Sequence, residues 1–479
     1  MTGLAPIPRL SEVLEQYRRC ERTPSDVVEE CLARIEALEP QLKAWVLLDA
    51  TAARREAAEH TRDYERGVPR GPLAGIPVGI KDIIDVAGWP TKAGSSLREQ
   101  HLAERDAPVV AALRRAGAIL MGKTVTTQFA CFDPAATRNP HHLDHSPGGS
   151  SSGSAAAVAS GMCFAALATQ TGGSITRPAA YCGIAGLKPT FGSLSMQGIV
   201  PVSPRLDHVG VVARSAADVE LVWNAIHTSV AEEEIPRPPQ RGRLPDGTAT
   251  PKCSHVDEWL LAPFQKETES VSVAVLNPPF RILALVDAIV RDTDREIAAG
   301  VQEVCQQLEA AGGDVYFGDG SPFAHTLLHI GKLTWEYHRK IMAHDAWQFH
   351  ASSFRSHPEA YLPGLVKLFA EGELVSEEEY DYCLCFREST RQDIDRTLHW
   401  VDAILTPATP NFAPPLSANS TGDPRWNSPF SLSGHPTMSC PVGRSSGNLP
   451  WGVQLVGPYH SENRLIQIAK WIESVVSYS

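Results

Sequence analysis

The sequence predicts an α/β protein, a mainly parallel or mixed sheet covered by helices, and three observations predict it. Between residues 70 and 230, short apolar runs alternate with helix-spaced segments, as strand–helix units do. Strand and helix signals resume beyond residue 269, so one sheet is expected to continue across the intervening stretch. Of the 479 residues, 43% are apolar and 20% charged, which allows a large core.

The elements follow in order. Thr23 can cap a first helix with Pro24 in its first turn, and Val27, Val28, Cys31, Leu32, Ile35 and Leu38 recur at helical spacing. An Ala/Glu/Arg-rich second helix is expected over 52–66. Residues 76–80 form a short apolar strand ending at Lys81 and Asp82. Asp106 is expected to cap a helix carrying Val109, Val110 and Leu113; Gly117 stops it, and 118–121 reads as a buried strand. A polar loop with Pro134, Asn139 and Pro140 leads into a Gly/Ser-rich turn over 148–154. A small-residue helix to Ser160 follows, stopped by Gly161, then a strand over 163–169. The stretch 231–251 is rich in proline and charge and reads as an exposed excursion. Beyond it come a strand over 271–276, a helix over 292–311 and a strand over 403–405. An alternating strand through Trp451, Val453 and Leu455 precedes a closing helix through Leu465, Ile468, Ala469 and Ile472. One domain is expected: a helical N-terminal region over 1–69, a core over 70–228, an excursion over 229–268 and the rest of the sheet and helices over 269–479.

Several function classes are disfavoured. The net charge is -12 with no Lys/Arg-rich run, so no nucleic-acid partner is expected. The longest small-apolar stretch, 155–168, is broken by Ser160 and Gly161 and is far shorter than the ~20 residues of a membrane helix, so no membrane partner is expected either. The first ten residues have no apolar run and carry Pro6 and Pro8, unlike a signal peptide. The 10 cysteines are scattered; Cys383 and Cys385 form C-x-C, not a zinc doublet, and buried free thiols are expected. These features point to a cytoplasmic protein. The oligomeric state is left open, a homodimer being the assembly considered.

Two motif matches fail on context. Gly117 to Thr124 satisfies the P-loop pattern, but a helix precedes it and its interior is apolar and strand-like, whereas a P-loop needs a strand before and a helix after. Gly149-Ser-Ser151-Ser-Gly153 matches G-x-S-x-G, but a polar loop leads into it where a nucleophile elbow needs a buried strand. His141, His142 and His145 match no common metal spacing.

Two Gly/Ser-rich turns remain, flanking one helix and one strand: Pro147 to Ser154, and Gln170-Thr171-Gly172-Gly173-Ser174. The second lies at the carboxyl end of a strand, where sites in open α/β sheets form. Gly172 and Gly173 leave successive amides unshielded, able to converge on an anion, and a serine after them can attack a carbonyl whose oxyanion those amides receive.

These runs, with Gly75-Ile-Pro-Val-Gly-Ile-Lys81-Asp82 upstream, Pro178 to Gly183 and Gly186 to Thr190 after them, and Gly434-His-Pro436, Pro441-Val-Gly443 and Gly452 to Leu455 near the end, resemble the amidase signature family. The resemblance spans residue 70 to the C-terminus. It implies the amidase-signature fold, a central mixed twisted sheet with helices on both faces. It also implies Ser174 as nucleophile, Ser150 on a cis peptide bond as bridging serine, and Lys81 as base. Thr171, Gly172, Gly173 and Ser174 would supply oxyanion amides. No metal or other cofactor is implied; the substrate is a small-molecule amide cut through an acyl-enzyme. Lysine at pKa ~10.4 is no base near neutrality, so Lys81 must be buried. Many family members carry Asp and Arg where this chain has Gln170 and Thr176, with Arg177 following instead. That departure weighs against the family's two other readings, an A-type subunit of a tRNA-dependent amidotransferase and an allophanate-like carbamate or urea hydrolase. Cys131 and Phe132 are candidates to line the substrate pocket, core packing being an equal reading, and their apolar character leads us to expect an uncharged acyl group.

Overall fold

The computed structural model describes residues 7–230, 279–285, 293–318 and 322–476. The predicted strand over 271–276 and most of the excursion lie outside them. Eleven strands among the described residues form one sheet: β1 (Trp45–Leu48), β2 (Pro77–Lys81), β3 (Ile119–Thr124), β4 (Ala165–Gln170), β5 (Ala185–Lys188), β6 (His208–Ala213), β7 (Arg281–Ala284), β8 (Asp314–Phe317), β9 (Ala403–Pro407), β10 (Thr437–Arg444) and β11 (Pro450–Val456). Their order is β1-β3-β2-β4-β6-β5-β10-β11-β9-β7-β8. Strands β3, β2 and β4 run parallel, as do β9, β7 and β8, while the pairings between these groups are antiparallel, so the sheet is mixed. Every residue of β2, β3, β4, β5, β6, β9 and β11 is buried. Alternate strand residues point to opposite faces, so both faces of the central sheet are covered.

Local chemistry explains the boundaries. Thr23 Oγ1 accepts from Asp26 N at 3.1 Å and Asp26 Oδ2 from Thr23 N at 2.9 Å, a reciprocal cap that starts the helix Pro24–Leu42. Asp106 does not cap the helix Pro108–Arg115. Its carboxylate instead accepts from Ala87 N at 2.8 Å and from Arg114 Nε at 3.0 Å, tying the preceding loop to the helix end. The strand expected from residue 163 starts at Ala165 and runs through Gln170, and β1, β5 and β6 add strands that the apolar pattern did not single out.

The core also explains the Gly/Ser-rich helix Ser152–Ala159, which packs on β2, β3, β4 and β6. A Cβ at Gly153 would lie 2.3 Å from Ala44 O, so only glycine allows this approach. Ser154 Oγ donates to Leu167 O at 3.1 Å, binding the helix to β4. Because β2 and β4 are parallel neighbours, with Ile80 paired to Leu167, their carboxyl ends bring Lys81 beside the turn after Gln170. Ser150, just before the helix, enters from the same end.

Candidate active site

Lys81 is fully buried, and its Nζ lies 2.8 Å from Ser150 Oγ and 2.8 Å from Thr169 Oγ1. Burial pushes the Lys81 amine down to about 7, with the Asp207 carboxylate opposing that shift. The peptide bond Gly149–Ser150 is cis. Ser174 lies in the turn between β4 and the short helix Thr176–Tyr181 and lines the same cavity as Ser150, although among the described residues no hydrogen bond joins the two hydroxyls.

The turn over 170–174 is held by its carbonyls and side chains. Thr171 O accepts from His338 Nε2 at 2.8 Å, Gly172 O from Ser431 Oγ at 2.7 Å, and Gly173 O from Arg177 N at 3.0 Å. Gln170 Oε1 accepts from Ile175 N at 2.8 Å and Thr176 N at 3.0 Å, while Gln170 Nε2 donates to Ser431 Oγ at 3.0 Å. The neutral amide thus caps the short helix without a carboxylate, and its donor end serves the serine that fixes Gly172. Thr171 Oγ1 donates to Asp207 Oδ1 at 2.6 Å, and Asp207 Oδ2 accepts from Val202 N at 2.8 Å and Ser203 N at 2.9 Å. With the carbonyls engaged, the amides of Gly172, Gly173 and Ser174 find no protein acceptor among the described residues. They are available to an anion in the cavity.

That cavity measures about 240 Å³ and is bounded by Ser150, Ser174, Cys131, Phe132, Arg177 and His338, among others. Cys131 is buried with its Sγ donating to Phe129 O at 3.4 Å, and the Phe132 ring lies under the Arg339 guanidinium at 5.1 Å. The volume is below the ~300–1,000 Å³ of pockets for drug-sized ligands, so a small substrate fits best.

A family model described as Amidase matches residues 26–466. The chain belongs to the amidase signature family. A relative from Synechococcus sp., described as the A subunit of glutamyl-tRNA(Gln) amidotransferase, is 32% identical over 96% of this chain and 94% of its own length. The crystal structure of an amidase superposes with a TM-score of 0.79 at 28% identity, covering 98% of this chain and 100% of the other. Native peptide amidase from Stenotrophomonas maltophilia superposes with a TM-score of 0.74 at 27% identity, covering 98% and 97%.

Within this amidase-family site, sequence reasoning missed Thr169, Asp207 and His338, and it gave Arg177 no place in the pocket. Their signal is tertiary: His338, for example, comes from the helix Pro322–Ser356, 167 residues from the carbonyl it holds. Thr171 O can only accept, so His338 carries its proton on Nε2; Nδ1 is buried without a partner, and burial holds the ring down to about 4. The discarded motifs have other uses. Lys123 lies in β3, pairs with Asp82 at 3.1 Å and donates to Thr91 Oγ1 at 3.0 Å, with no phosphate-cradling turn around it. Ser151 Oγ donates to Thr169 O at 3.2 Å. His142 and His145 bond each other at 2.9 Å on the surface. Among the described residues no cluster of His, Cys, Asp and Glu is placed to hold a metal, and no helix is long and apolar enough to cross a membrane.

Proposed function

We propose that this chain hydrolyses a linear carbon–nitrogen bond through an acyl-enzyme on Ser174. The observation that carries the proposal is a buried lysine, poised to be neutral near pH 7, in contact with Ser150 at the wall of the cavity that Ser174 lines. Neutral Lys81 takes a proton through Ser150 as Ser174 Oγ bonds to the acyl carbon. The oxyanion is received by amides of the 171–174 turn, and interactions of this kind are typically worth ~3–4 kcal/mol per donor in the transition state. The proton returns through Ser150 to the nitrogen, the C–N bond breaks and the amine leaves. Water then attacks the ester by the same relay, giving a carboxylic acid and free Ser174. Cys131 and Phe132 are assigned to the wall that holds the acyl group. No cofactor is required by this sequence of steps.

The relative described as an amidotransferase component supports a second reading, in which the chain acts with partner subunits on glutamine. Against it, no carboxylate among the described residues lines the cavity to meet an α-ammonium group. The test is to purify the chain alone and assay an apolar anilide, a carbamate, simple primary amides and glutamine, with fluorophosphonate labelling read by intact mass. Turnover of simple amides without partners supports the hydrolase. Turnover of glutamine alone, dependent on added partner chains, establishes the second reading instead.

A further inference from the structure

The cavity wall that carries Cys131 and Phe132 is built on a left-handed turn. Phe129 and Ala130 have φ of 46° and 58°, a conformation that favours glycine and that other residues keep only where their surroundings over-determine it. Here the turn is held from outside the cavity, by the chain leading into the helix Pro363–Leu374 and by the first turn of that helix. Gln128 Nε2 donates to Ala360 O at 2.7 Å, and Gln128 Oε1 accepts from Leu362 N at 2.8 Å. Asp133 Oδ2 accepts from Gly364 N at 2.9 Å. The loop over 128–133 is thus fastened at both ends.

The same helix braces Phe132 directly. A Cβ at Gly364 would lie 2.6 Å from Asp133 Oδ2 and 2.9 Å from Phe132 Cβ, so only glycine lets the helix come this close. Farther along, Glu371 Oε1 accepts from Arg339 Nη2 at 2.9 Å, and that guanidinium covers the Phe132 ring. The helix is itself seated tightly on the helix Pro322–Ser356, where a Cβ at Gly372 would lie 2.1 Å from Ala343 O, which leaves it little room to shift. It contributes no residue to the cavity lining. Phe132 therefore stands between this helix and the cavity.

We infer that Gly364 and Asp133 set the acyl length the enzyme accepts, as positioning residues that act through Phe132. The inference rests on the amidase reading and deepens it: the substrate class is the amide of a short, apolar acid. Asp133 draws the wall outward onto the helix, and the missing side chain at Gly364 lets the wall come that close. An atom added at Gly364 drives Phe132 into a cavity of about 240 Å³. In an apolar pocket, room for one methylene is worth roughly 10- to 200-fold in discrimination.

The test is the ratio of kcat/KM for hexanamide to that for propionamide, in the wild type, Gly364→Ala, Asp133→Ala and Asp133→Asn. The wild type should favour propionamide. Gly364→Ala should lower the ratio by about tenfold, through KM for hexanamide, with the kcat for propionamide and the pH profile kept. Asp133→Ala releases the wall and should raise the ratio by about threefold, while Asp133→Asn, which still offers an oxygen to Gly364 N, should keep the wild-type value. In a Phe132→Ala background Gly364→Ala should no longer change the ratio, since no ring is left to push. General loosening of the fold would move both substrates together. Should Gly364→Ala fail to fold, the two Asp133 variants carry the test. A wild type that prefers hexanamide, a ratio that stays put or shifts the same way in both alanine variants, or a shift that persists without the Phe132 ring overturns the inference and leaves the amidase reading intact. If no amide is cut, the amidase reading fails. Ethylboronic and pentylboronic acids, competing with fluorophosphonate at Ser174, then give the same ratio as affinities; opposite shifts in the two alanine variants support the inference, and unchanged affinities overturn it. A Ser174 that takes neither probe overturns both.

Discussion

Replacing Lys81 with methionine should make the protein inactive and more stable at neutral pH. Methionine matches the length of the aliphatic stem and has no charge to bury. In the folded chain the amine sits at about 7, against 10.5 for an ordinary lysine. At pH 7 the unfolded chain therefore binds a proton that the folded chain largely gives up, a cost of roughly 4 kcal/mol at ~1.4 kcal/mol per pKa unit. Removing the amine also removes its contacts with Ser150 Oγ and Thr169 Oγ1, each worth about 1 kcal/mol. The net gain is ~2 kcal/mol, and with an unfolding entropy of roughly 1 kcal/mol/K for a chain of this size the melting temperature rises by about 2 °C. The sign of the pH dependence follows from the depressed value. Between the folded pKa near 7 and the unfolded pKa near 10.5 the unfolded state holds more protons, so wild-type stability rises with pH across this window. The variant lacks the group, so its advantage falls to about zero near pH 9 and turns slightly negative by about pH 9.5. Melting curves of both proteins at one scan rate, from pH 7 to 9.5, measure the gap. A variant that is less stable at pH 7, with a gap that does not change with pH, would refute the picture of a lysine held neutral by burial.

The same lysine should set the rate profile: kcat/KM rises with pH through an apparent pKa near 7, and a profile flat from pH 6 to 9 would count against Lys81 as the base. Ser174→Ala should abolish hydrolysis and fluorophosphonate labelling, whereas Ser151→Ala keeps both, since Ser151 is engaged with Thr169 O; a label mapped to Ser151 would reverse the assignment. A Cβ at Gly173 lies 2.5 Å from Asn427 Oδ1, and Asn427 is fixed to Ala408 O and Gln454. Gly173→Ala should therefore lower kcat by about a hundredfold through displacement of the turn. Gly172→Ala, whose first contact is His338 at 3.4 Å, should be milder, and equal losses would argue against a packing cause. Lys123→Met should cost ~3–5 kcal/mol by stranding buried Asp82, and ATP should not shift the melting temperature of either protein; a nucleotide-dependent shift lost in the variant would revive the P-loop reading.

The sequence by itself determined the α/β class and the capped helix after Thr23, whereas the three residues of the proposed triad came from the family resemblance. These features are written in contiguous residues because they answer local demands. Apolar period sets the strands, Thr23 and Asp26 satisfy a helix end, and glycines and serines in a row permit close packing and bare amides. The P-loop and elbow matches could be dismissed for the same reason, since the flanking elements decide them. Only the tertiary structure decided what surrounds those residues. The carboxylate of Asp106 proved more useful to Ala87 and Arg114 than to a helix end. The carboxylate set against Lys81 is Asp207 and the ring that holds Thr171 is His338, partners whose local sequence is unremarkable. Phe132 was visible as a candidate for the pocket wall, but the helix that braces it was not. Whether a side chain is braced depends on which distant elements fold against it, and no spacing along the chain encodes that.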